Sequence, residues 1–165
     1  RNLYDCASRL KLMNFLRNIF AILVGLAIAG LVITFGVRIN TEWITYEKFS
    51  VFQSWGKFLK SVQNDDEFFL FLLFLSGLAT TLGGVATAII VKYAKVAYAI
   101  LIGFVVLFIA MLDIIIFPYH PTFYKISIFL TLFPFSWLGG KIVEVIYKRK
   151  NKRLQKELKK EHLKE

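Results

Sequence analysis

The chain has 165 residues, 57% of them hydrophobic and 16% aromatic, with a mean hydropathy of +0.60. A soluble domain of this length keeps more polar surface, so the composition points to membrane spans. The net charge of +10 does not point to nucleic acid: 10 of the 21 Lys and Arg lie from Lys141 onward, directly behind an apolar stretch. Basic residues so placed act as a cytoplasmic flank and meet anionic lipid headgroups.

Residues 1–18 read as a basic N-terminal segment carrying Arg9, Lys11 and Arg17. Met13 opens MNFLRNIF, a short basic lead into an apolar run, which makes it a candidate natural start with residues 1–12 as a non-native lead. A processed N-terminus is the competing explanation. The first span is Ile19–Val37, closed by Arg38. It is too long, and lacks the small-residue cleavage site, for a removed signal peptide.

Residues 38–67 contain TEWITYEKFSVFQSWGKFLKSVQNDDE, in which Trp43, Tyr46, Phe49, Phe52, Trp55 and Phe58 recur every third residue. On a helix that spacing holds a broad aromatic stripe, and Trp and Tyr favour the headgroup level. The segment is therefore read as an amphipathic helix in the outer interface. The alternative is a lid over a pocket between the spans.

The second span is Phe68–Val91, bounded by Asp65, Asp66 and Glu67 on one side and Lys92 on the other. Its Ser76, Thr80, Gly84 and Ala88 lie four apart, and the first span offers Ala21, Gly25 and Ala29 at the same interval. Small residues let helix backbones approach closely in lipid, so the two rows are expected to pack closely, within one subunit or between subunits.

The third span, Val96–Phe117, holds Asp113 one turn before its end, roughly 6 Å below it at 1.5 Å per residue. An outer turn over 118–125 follows, with His120 between Pro118 and Pro121. The fourth span covers 126–147, interrupted by Pro134, Lys141 and Glu144; the last two sit three apart and can pair. Folding the third and fourth spans as a hairpin brings Lys125 to the depth of Asp113, and a long lysine can snorkel toward that carboxylate. A structural Asp113–Lys125 pair is the expected outcome. An ionised carboxylate inside a span also marks proton or cation sites, with His120 as a possible relay.

The tail, residues 148–165, continues as a charged cytoplasmic helix whose Lys148, Arg149, Lys150, Lys152 and Arg153 are the expected contacts for lipid or a partner. Lys and Arg concentrate before the first span, between the second and third, and in the tail, which puts both termini in the cytoplasm.

The stretch GLATTLGGVATAII, the turn DIIIFPYHPTFYK and the helix end FPFSWLGGKI together resemble a recurring pattern in small uncharacterised four-helix integral membrane proteins of Bacteroidetes-type bacteria. The resemblance spans Met13 to Tyr147 in outline. Tyr119 between Pro118 and His120, Tyr124 and the length of the lysine-rich tail depart from it. It implies a four-helix architecture and a bacterial inner-membrane location, and brings no activity and no catalytic residue.

Cys6 is the one cysteine, His120 and His162 are far apart, and no metalloprotease, P-loop, hydrolase or dinucleotide motif is present. The expectation is an all-α integral membrane protein: four transmembrane helices, an interfacial amphipathic helix between the first two, and a charged C-terminal cytoplasmic helix. It calls for no cofactor and no catalytic or metal site. The expected function is that of an accessory or scaffold subunit, as a homo-oligomer or part of a larger membrane complex. The alternative is a small oligomeric transporter or channel using Asp113.

Overall fold

The computed structural model describes the backbone over residues 2–40 and 51–162, and the side chains of Arg9, 12–37 and 55–160. These residues form five helices: α1 (Asn2–Asn40), α2 (Val51–Ser61), α3 (Asp66–Ile90), α4 (Lys95–Ile116) and α5 (Thr122–His162). Within them, Leu12–Val37, Asp66–Ile90, Lys95–Ile116 and the long stretch beginning at Thr122 are long and apolar enough to cross a membrane.

The boundaries follow local chemistry. Asp65 caps α3 by accepting a 3.1 Å bond from the Phe68 amide, and Asp66 and Glu67 set negative charge at the same end. Between α3 and α4 the chain turns through Ala94, among the described residues the one non-glycine with positive φ, at 53°. Pro118 cannot donate to the preceding helix, so α4 closes with the Phe117 amide on the Asp113 carbonyl at 2.9 Å. The Pro121 carbonyl then starts α5 by accepting from the amides of Tyr124 (3.1 Å) and Lys125 (3.3 Å).

One element runs further than the sequence reading drew it. The segment over 1–18 is helical from Asn2, continuous with the first apolar run. The fourth span and the tail form one uninterrupted helix of 41 residues that includes Pro134. At 1.5 Å per residue it is roughly 60 Å long, about twice a bilayer's hydrocarbon thickness. Of the aromatic stripe, Trp43, Tyr46 and Phe49 and the Phe52 side chain lie outside the described residues; Trp55 and Phe58 point inward, onto the core.

α3 is the hub, packing against α1, α4 and α5, while α4 and α5 pack on each other and α1 barely meets α4. A helix with three neighbours needs small residues on more than one face. Within the chain, Gly84 of the expected row is turned toward α4 and α5, and the α1 row of Ala21, Gly25 and Ala29 finds small residues elsewhere on α3. It meets Gly83 and Thr87: a Cβ on Gly25 would lie 2.7 Å from the Gly83 carbonyl and collide with Thr87 Oγ1. Thr87 Oγ1 also reaches the Ala21 carbonyl at 3.1 Å.

Gly84, one residue and about 100° further round, faces Ala99 of α4 and the Ser136 carbonyl of α5. Ser76, Thr80 and Ala88 are buried along with it. Gly77 abuts Thr131 and Phe135 of α5, and Thr81 Oγ1 bonds the Phe135 carbonyl at 3.0 Å. The outward faces of α1, α4 and α5 are apolar; Leu23, Phe35, Phe108, Ile115 and Leu130 are each more than half exposed.

Candidate functional site

Asp113 sits in the last turn of α4, where the helix presents it to the other elements at that end of the bundle. The Trp55 indole N–H of α2 donates to Asp113 Oδ1 at 2.8 Å. Asp113 Oδ2 lies 3.1 Å from His120 Nε2. The His120 side chain is fully buried, and its Nδ1 stands 2.9 Å from the Phe117 carbonyl. A carbonyl only accepts, so Nδ1 carries a proton. That leaves Nε2 facing the carboxylate, off the alignment of a hydrogen bond and without a hydrogen-bond partner.

The prolines make this possible. They bend 117–121 into a compact turn that folds the imidazole inward, where it stacks on Tyr124 (centroids 5.2 Å apart, planes 23°) and meets the edge of Phe69 at 5.5 Å. Phe69, at the start of α3, also packs against Tyr124. Ser76 Oγ of α3 donates to the Leu72 carbonyl at 2.7 Å.

The expected Asp113–Lys125 pair is therefore corrected. Lys125 makes no ion pair among the described residues, and Trp55 and His120 occupy the carboxylate. The reason is rotational: α5 turns Tyr124 and Ile128 into the core, and Lys125 stands about 100° away from Tyr124.

Asp113 also borders a cavity of about 210 Å³ to which every helix contributes: Ile33 from α1, Trp55 from α2, Ser76 from α3, Ala110 and Asp113 from α4, and Tyr124 from α5. Sequence reading placed Asp113 and His120 here and missed three members. Trp55 lies 58 residues from its carboxylate and reads as one aromatic in a stripe. Ser76 reads as a packing residue, and Tyr124 carries no signal beyond its departure from the family pattern.

The opposite end is built from cations. Lys95 Nζ donates to the carbonyls of Ala88 (2.7 Å) and Val91 (2.6 Å), closing the C-terminus of α3, and lies 4.0 Å from the centre of the Tyr147 ring. Asn18 of α1 donates to the Tyr98 hydroxyl of α4 at 2.8 Å. Glu144 is held between Lys141, at 3.1 Å, and Lys148. Arg149, Lys150, Lys152 and Arg153 continue as an exposed row. Among the described residues, no group of three His, Cys, Asp or Glu is arranged to hold a metal ion. No family model, no curated protein and no solved structure matches this chain, so the site stands on its own geometry.

Proposed function

We propose that the chain is an integral membrane protein of four spans with both termini in the cytoplasm, and that it serves as a non-enzymatic accessory or scaffold subunit of a membrane assembly. The observation carrying this reading is the use made of Asp113. Its two oxygens go to Trp55 and His120, so this acid in the last turn of α4 fastens α2 and the α4–α5 turn onto α4. Further inter-helix polar contacts, Thr87 to Ala21, Thr81 to Phe135, Asn18 to Tyr98 and Lys95 to Ala88, likewise join helices.

Orientation rests on charge: the basic end and the tail favour the cytoplasmic leaflet, where Lys148, Arg149, Lys150, Lys152 and Arg153 meet anionic headgroups. A bacterial inner membrane accords with the family resemblance. Purification in mild detergent tests the function. A stoichiometric, unrelated membrane partner is the expected result; a homo-oligomer stabilised by a specific ion would overturn it.

A second reading has its own support in the cavity beside Asp113. There the protein is a small oligomeric transporter or channel with Asp113 as its protonatable or cation-binding group. Loss of proton or cation flux from proteoliposomes on Asp113→Asn, with assembly intact, would establish it. Unchanged flux would remove it.

A further inference from the structure

We propose that the cleft between the α3–α4 turn and α5 binds the phosphate of one anionic glycerophospholipid, whose acyl chains lie along α4. The proposal rests on the reading of the chain as an integral membrane protein, and adds one defined site to the diffuse headgroup contacts of the tail.

The cleft has a volume of about 460 Å³. The turn contributes Lys92 to its wall, the start of α4 Lys95 and Ala97, and α5 Glu144, Lys148 and Asn151. Three lysines thus converge from three segments that only folding brings together. The Lys95 ammonium carries three N–H groups; two go to the Ala88 and Val91 carbonyls, which fixes it in place and leaves the third. Glu144 pairs with Lys148 and also with Lys141, which stands outside the cleft wall. The carboxylate therefore does not consume the charge of the lysines inside. Ala94 begins α4 without a side-chain cap, so the amides of Lys95, Val96 and Ala97 add their partial positive charge at the same wall. Phosphate oxygens accept from such amides, and the lysines supply the charge. The volume equals roughly fifteen waters at about 30 Å³ each, room for a phosphate and its glycerol.

The surroundings favour a lipid over a soluble phosphate. The turn carrying Lys92 lies between the ends of two long apolar helices, the level at which spans meet headgroups. Tyr93 and Tyr147, both exposed at the rim, are of a residue type enriched there. From Ala97 an exposed apolar stripe runs along α4 through Leu101, Phe104 and Phe108, three or four residues apart on one face. An acyl chain on that stripe continues from a phosphate in the cleft, whereas a free phosphate makes no use of it.

The test is native mass spectrometry of the full chain in detergent micelles. It is titrated with dioleoyl phosphatidylglycerol, with glycerol 3-phosphate, and with dioleoyl phosphatidylcholine, whose phosphate sits beside a compensating ammonium. We expect one saturable phosphatidylglycerol per chain, held about tenfold or more tightly than either competitor. Lys92→Gln and Lys148→Gln should each weaken it about fivefold. Lys160→Gln, the same charge change about 18 Å further along α5, should alter it less than about twofold. Ala97→Phe fills the cleft and keeps every charge; it should weaken phosphatidylglycerol about tenfold. If that variant does not assemble, Asn151→Phe fills the cleft from α5 and is read in the same way. Equal retention of phosphatidylcholine, a loss in Lys160→Gln as large as in Lys148→Gln, or an unaffected filled cleft would each overturn the site. Glycerol 3-phosphate held as tightly as phosphatidylglycerol would overturn the lipid. A chain recovered in the aqueous fraction without detergent would sink the membrane reading itself, whereas an assembled, detergent-dependent chain with no lipid preference sinks only the site.

Discussion

The two ends of the bundle hold the same kinds of charged group under opposite conditions. At the Asp113 end a carboxylate 28% exposed is met by the Trp55 indole and by a fully buried His120, with Phe69 and Tyr124 packed on the imidazole, each from a different helix or turn. At the Lys95 end Glu144 is exposed to the same degree, 27%, but its two partners, Lys141 and Lys148, are 45% and 68% exposed and lie within three or four residues of it. Enclosure strengthens each contact and makes its loss costly, whereas water screens the exposed pairs. The contrast predicts one end sensitive to single substitutions and the other indifferent to most.

Between the two ends α1 packs closely on α3, and the largest effect is expected there. Gly25→Leu drives a side chain into Thr87 and the Gly83 carbonyl and should abolish the monodisperse gel-filtration peak. Gly30→Leu, with nothing within 4 Å, should leave it intact. Equal behaviour of the two variants would break the account of the crossing.

Next comes Trp55→Phe, which keeps the ring and deletes the donor to Asp113. A hydrogen bond to a charged group contributes about 1.5–3 kcal/mol, and thermal unfolding in detergent should show a clear drop. No drop would mean that α2 is held by packing alone.

Lys95→Met keeps most of the stem and removes the cap on the α3 carbonyls. Its partial exposure reduces the expected loss to about 1 kcal/mol by the same measurement. Smallest is Glu144→Gln, which breaks two exposed ion pairs and should leave the melting temperature unchanged in high salt. A large loss there would erase the distinction between the ends.

Much of the helical plan is legible in the sequence. Apolar runs bounded by Arg38, Asp65 to Glu67, Lys92 and Pro118 mark the four long helices, because run length and flanking charge are one-dimensional properties. The i,i+4 rows identify small packing residues, and the i,i+3 spacing identifies the Lys141–Glu144 pair, since both partners lie on one helix. The prolines likewise mark a sharp turn around His120.

Partnership between helices is different. Which small row of α3 receives α1 depends on the rotation of two helices about their own axes, and Gly83 and Gly84 are equivalent as letters. Tertiary packing decided for Gly83 and Thr87 by placing α4 and α5 on the adjacent face. The same rotation turned Tyr124 inward in place of Lys125, and the docking of α2 brought Trp55 across 58 residues to Asp113. The sequence by itself determined that there are long apolar helices and an acid near the end of one. Only the three-dimensional arrangement, through side chains converging from separate helices, decided what that acid touches.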